Sequence, residues 1–163
     1  MKRRSEAGLL AVAPGVVALL ALGTAQPAGA QSRQLQNRLE SATRVVCKFS
    51  ALAMADWDDA TPKATIESAE VEAEFHDINV DEGTAEAGGD FGDAFISVRY
   101  SHGYLHFMQI SDVGPLYVTT ILAQESVDGR LKAIQTRLDY PASSPPAAAT
   151  RPQMYVGDCE VTS

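Results

Sequence analysis

The sequence predicts an all-β domain: a small antiparallel meander closed into an eight-stranded up-and-down barrel, with a two-sheet β-sandwich as the alternative and a short N-terminal helix. Three observations lead there. Apolar and polar residues alternate with a period of two, most clearly over Ala69–Phe75 and within Ala94–Leu138. Tight-turn pairs, His102-Gly103 and Asp128-Gly129, join such stretches with little chain between them. The cysteines, Cys47 and Cys159, stand at opposite ends of the alternating region, so a bond between them sets the first strand beside the last.

In chain order, Met1-Lys2-Arg3-Arg4 is a cationic start, Gly8 to Gly23 is apolar, and Ala28-Gly29-Ala30 offers the small residues a signal peptidase reads. That three-part plan predicts that residues 1–30 are a secretory leader, cleaved after Ala30. The apolar run is shorter than the roughly 20 residues a bilayer requires and contains Pro14, so no membrane span is expected after cleavage. Residues 31–43 are predicted as a helical or flexible lead-in, with Leu35, Leu39 and Ala42 spaced by four and three. Residues 44–163 form the single β domain.

Within it, Val45–Leu52 reads as the first strand, followed by a polar turn holding Trp57 and Pro62. Ala64–Val80 is the second, with Asp81-Glu82-Gly83 turning into a short return strand from Thr84 to Ala87. Ala94–Tyr100 and Tyr104–Ser111 form a hairpin about His102-Gly103, with Val98 opposite Phe107 and Arg99 opposite His106. Asp112-Val113-Gly114-Pro115 turns the chain again. Leu116–Gln124 and Arg130–Leu138 pair about Asp128-Gly129; a plain two-residue turn sets Ile121 opposite Thr136 and Glu125 opposite Lys132. Pro141 to Pro152 is a proline-rich loop that a sheet interior excludes, and Gln153–Val161 is the last strand. An eight-stranded meander resembles lipocalins and avidins in outline. The lipocalin G-x-W motif is missing, since Trp57 follows Ala55-Asp56 and lies after the first strand, so no family is assigned.

The leader carries three of the 13 basic and one of the 21 acidic residues, so the remaining 133 residues hold 10 and 20, a formal net charge of −10. Such a polyanion repels phosphate backbones and anionic lipid, so neither nucleic acid nor a membrane surface is an expected partner. A basic protein is. In an exported chain an isolated cysteine pair is most simply a disulfide, here Cys47–Cys159. The expected location is therefore periplasmic or extracellular.

Catalytic and metal motifs are weak. There is no G-x-S-x-G elbow and no S-x-x-K. Thirteen carboxylates and one base lie between Asp56 and Asp93, the pattern of a solvated strand face with polar turns. Counted from Asp77, a calcium loop lacks its sixth-position Gly and its twelfth-position Glu. Gly88–Asp93 is similar to a calcium-binding nonapeptide, but occurs once. His76, His102 and His106 do not converge as zinc requires. Neither a metal nor a cofactor is expected, and the chain is read as a binder rather than an enzyme. The leading expectation is an exported domain holding a small apolar or amphipathic ligand inside the barrel. The ligand-contacting residues are predicted to be Trp57, an aromatic face among carboxylates, and Tyr100, Gln109, Tyr117, Thr119 and Thr136 on inward faces. The alternative is a protein-interaction or inhibitor module using loops and an acidic face.

Overall fold

A computed structural model describes residues 28–58, 61–89, 94–110, 116–139 and 151–163. Most of the leader, the Asp112–Pro115 turn and the proline-rich segment up to Thr150 lie outside these residues. One helix, α1 (Ala28–Glu40), precedes eight strands: β1 (Arg44–Asp58), β2 (Thr61–Asn79), β3 (Thr84–Gly89), β4 (Ala94–Ser101), β5 (Tyr104–Ile110), β6 (Leu116–Glu125), β7 (Leu131–Asp139) and β8 (Arg151–Thr162). Each strand pairs antiparallel with the next, and β8 pairs with β1, which closes the ring as a barrel. Closure leaves no second sheet for the sandwich alternative. No described helix is long and apolar enough to cross a membrane.

The Cys47–Cys159 disulfide is formed, between residues directly opposite each other across the β1–β8 seam. Both cysteines are fully buried. The alternation read in the sequence decides what fills the ring: Val45 and Phe49, Ala73 and Phe75, Ala85 and Ala87, Ile96 and Val98, Leu105 and Phe107 all point inward and are buried. Phe75 and Phe107 stack with centroids 4.0 Å apart near the centre.

The apolar stripe of α1 explains its position. Leu35 and Leu39 are buried with Ala42, so the helix lies across one end of the barrel and closes it. Arg38 fastens it there, donating from Nε and Nη2 to the Val161 carbonyl (3.2 and 3.0 Å) and from Nη1 to the Gly129 carbonyl (2.8 Å). Hydrogen bonds from a charged donor contribute more than neutral ones. Arg38→Ala is therefore expected to cost about 1–2 kcal/mol and to speed amide exchange in α1 selectively; unchanged exchange there would show that the helix is held by its leucines alone.

Both predicted hairpin turns form. His102 and Gly103 have φ of 51° and 82°, and Asp128 and Gly129 have 58° and 71°, the consecutive positive values of a type I′ turn. The ladder beyond the second turn differs from the plain two-residue register. Ile121 faces Ala133, Val118 faces Thr136 and Glu125 faces Leu131. Relative to the predicted register, β6 has taken up three additional residues. One is absorbed at the turn, where the Ser126 amide donates to the Arg130 carbonyl. Two more lie between Ile121 and Glu125, where β6 follows β5 instead and the Ala123 amide donates to the Gly103 carbonyl. An odd offset exchanges the two faces of the partner strand.

Strand ends also differ from the sequence reading. Trp57 and Pro62 do not form a turn; they are partners in a longer β1–β2 hairpin. Among the described residues, β2 has no neighbour other than β1 from Thr61 to Glu72, so the missing N–H of Pro62 falls on an edge. Pro152 likewise lies within β8, opposite Leu138, beyond the last β1–β8 pair at Met54–Gln153.

Candidate functional site

The two ends of the barrel differ in chemistry. Under α1 the inward side chains are apolar. Toward the opposite end, the same alternation along β5 to β8 delivers polar groups to the interior. The ladders align them in two successive rows. The deeper row runs Phe107, Thr119, Gln135, Tyr155 and on to Leu52; the outer one runs Gln109, Tyr117, Arg137, Gln153 and on to Met54. The deeper row is buried from Phe107 to Tyr155, whereas Gln109, Tyr117, Arg137 and Gln153 are half-buried. Polarity thus rises toward the end opposite α1, whose strand connections lie outside the described residues.

Within these rows Gln135 Nε2 donates to Thr119 Oγ1 at 2.9 Å, and the Tyr155 hydroxyl donates to Gln153 Oε1 at 3.1 Å. The Arg137 guanidinium carbon lies 4.9 Å from the centroid of the Tyr117 ring, a cation–π contact. Among the described residues no group donates to Gln135 Oε1, although Gln135 is only 2% exposed. An orphaned buried acceptor costs about 1–3 kcal/mol.

Beside these rows, both ladders of β1 shift register between Phe49 and Ala51: Ser50 is an extra residue against β8, and β2 carries one residue more than β1 between Val71 and Ser68. A cleft of about 690 Å³ opens there, lined by Lys48, Phe49, Ser50, Ser68, Ala69, Glu70, Val71 and Glu72. Phe49 joins the two features: it lines the cleft, and its ring centroid is 6.3 Å from that of Tyr155.

Three of the six predicted ligand-contacting residues come together in the rows: Gln109, Tyr117 and Thr119. Tyr100 faces inward opposite Leu105, near the α1 end and away from the rows. Thr136 is a correction: it is exposed on the outer face, with its hydroxyl 3.5 Å from the Val118 carbonyl, because the β6 offset turned that position outward. The backbone of Trp57 belongs to the β1–β2 arm past the last β8 partner, and its side chain lies outside the described residues. Gln135, Arg137, Gln153 and Tyr155 were not among the predicted residues. Their signal was present as polar or aromatic residues at every second position of β7 and β8, but only the correct register makes them inward.

No protein-family model, no curated protein and no solved structure matches this chain. Its chemistry is therefore read from its own geometry. The histidines are dispersed. His102 sits in its turn beside Ser101 Oγ at 2.8 Å, and His106, opposite Arg99, meets Thr120 Oγ1 at 2.9 Å. His76 Nδ1 lies 3.1 Å from Asp77 Oδ2 and 3.8 Å from Glu86 Oε2; Asp77 is exposed, and His76 and Glu86 are half-buried. The Asp77–Gly83 segment, read as lacking a calcium loop's Gly and Glu, forms a turn in which the Glu82 amide donates to Asn79 Oδ1 at 3.0 Å and the Gly83 amide to the Asn79 carbonyl at 2.9 Å.

Proposed function

We propose that this protein is an exported, non-catalytic binding domain that holds a small apolar or amphipathic ligand inside its barrel, toward the end opposite α1. The observation that carries the reading is Gln135, a nearly inaccessible amide with an unused acceptor, within a layer of inward polar groups bordered by Phe49, Leu52 and Met54. A ligand that slides its polar group to that depth supplies the missing partner, while its apolar part lies against the β1 side chains. The buried polar groups of the deeper row are an amide, a hydroxyl and a phenol, which suit hydrogen bonding to a neutral group better than proton transfer. A disulfide across the seam fits the oxidising compartment that export implies.

Gln135→Leu tests the reading. It removes the orphaned acceptor, so the unliganded protein is expected to melt no lower than the wild type, or slightly higher. Ligand-induced stabilisation from a panel of medium-chain alcohols, amides and fatty acids is expected to fall about tenfold or more in affinity, the equivalent of one lost hydrogen bond. Wild-type protein that gains no thermal stability from any of these compounds would refute the reading.

A further inference from the structure

His76, Asp77 and Glu86 bring a nitrogen and two carboxylate oxygens to one place on the outer wall, all within 4.8 Å of one another. Sequence spacing does not disclose this, because a regular strand sends neighbours such as His76 and Asp77 to opposite faces. A bulge in β2 changes that. From His76 to Asn79, β2 takes three steps while β3 takes two, from Glu86 to Thr84. Asp77 lies in this interval at a φ of 49°, a left-handed conformation that aspartate tolerates better than most residues. Its carboxylate turns back to His76, with Oδ2 3.1 Å from Nδ1. Glu86 stands directly opposite His76 on β3, between the buried Ala85 and Ala87, and its Oε2 lies 3.8 Å from the same nitrogen. Arg44, one step before the Val45–Phe75 pair, is met by Glu74 Oε1 instead, at 2.7 Å from Nη2 and 2.9 Å from Nε.

We infer that this cluster is a site for a divalent first-row transition ion of the zinc type, held by His76 Nδ1, Asp77 Oδ2 and Glu86 Oε2. Donors bound at about 2.1 Å to one ion lie about 3.4 Å apart at tetrahedral angles. The separations of 3.1 and 3.8 Å from His76 Nδ1 fall on either side of that value, so small rotations of the Asp77 and Glu86 side chains complete the set. The donor types decide the class of ion. Calcium and magnesium take oxygen ligands, whereas an imidazole beside carboxylates suits a borderline ion. Two carboxylates balance the charge of a divalent ion, and three protein ligands leave a position for water. An ion held this way ties β2 to β3 across the interval where their ladder is interrupted. The cluster lies beside the link from α1 to β1, where the Ile78 amide donates to the Thr43 carbonyl. It is on the outer wall and away from the polar rows, so this site and the ligand reading stand or fall separately.

Isothermal titration calorimetry of the tag-free, disulfide-bonded protein with zinc chloride at neutral pH tests the assignment. The wild type is expected to bind one equivalent in the micromolar range, and its melting temperature to rise with zinc concentration. His76→Gln, Asp77→Asn and Glu86→Gln are each expected to weaken binding at least about tenfold, the equivalent of about 1.4 kcal/mol. All three should keep the native circular dichroism spectrum, since the side chains lie on the outer wall and Asn tolerates the positive φ at position 77. His102→Gln with His106→Gln is expected to bind as the wild type does. Four results would overturn the inference. No zinc uptake by the wild type means a histidine–carboxylate ion pair only. Undiminished affinity in His76→Gln, or equal binding of calcium, means an acidic surface that collects cations. Loss of binding in the His102, His106 variant places the ion elsewhere.

Discussion

Gly157→Ala is expected to lower stability by at least about 3 kcal/mol, and so to leave much of the protein unfolded under mild denaturing conditions. Gly157 stands opposite Phe49 on β1 and Ala133 on β7. A Cβ placed there meets the Lys48 carbonyl oxygen head-on, and lies 2.7 Å from Phe49 Cα and 2.8 Å from the Lys48 carbonyl carbon. All three are backbone atoms, so no rotamer change relieves the overlap. Nor is β1 free to retreat. Both of its ladders shift register just after Phe49, and the Cys47–Cys159 bond anchors the seam two residues away. The absent side chain is thus what lets β8 cross the β1 bulge and complete the ring. Urea titration followed by circular dichroism measures the effect. A midpoint equal to that of wild type would mean that the seam does not have this close approach.

Removing the disulfide, by Cys47→Ala with Cys159→Ala, is expected to cost about 4 kcal/mol and to lower the melting temperature by roughly 10–20 °C. The bond spans 112 residues of sequence, nearly the whole β domain, so it removes much freedom from the unfolded chain. It also joins the two strands that close the barrel, and those strands are the most distant in the chain. Without it, the β1–β8 pairing must form against the full cost of closing that loop. Differential scanning calorimetry of the double variant, and of wild type in reductant, supplies the number. Hydrogen-exchange protection is expected to fall across the whole barrel, since the bond acts on the unfolded chain; a melting temperature within a degree or two of wild type would contradict it. The two effects share one seam, so combining the substitutions should give less than the sum.

Fold and site differ in how far the sequence discloses them, and the reason is visible in particular residues. Period-two alternation, the two type I′ turns and the terminal cysteines are local or pairwise signals, and they lead to the closed meander directly. The bulges are not local. Ser50 is passed over where Phe49 pairs with Gly157 and Ala51 with the adjacent Val156, while on the other side the same step of β1 spans Val71 to Ser68. The additional residues in β6 exist because Ala123 follows Gly103 while Glu125 follows Leu131. Such accommodations depend on both neighbours of a strand at once. One of them reversed the face assigned to Thr136 and concealed Gln135 and Arg137, so half of the polar rows went unread. The prolines misled for a related reason: Pro62 and Pro152 mark strand ends flanked on one side, where a missing donor is tolerated.

Native mass spectrometry of the protein purified from the cells that produce it tests the proposed binding site opposite α1 most directly. The expected spectrum has the mass of the disulfide-bonded chain plus a discrete small-molecule increment that is lost on collisional activation and missing from Gln135→Leu. A bare polypeptide mass under the gentlest conditions, for wild type and variant alike, would contradict it.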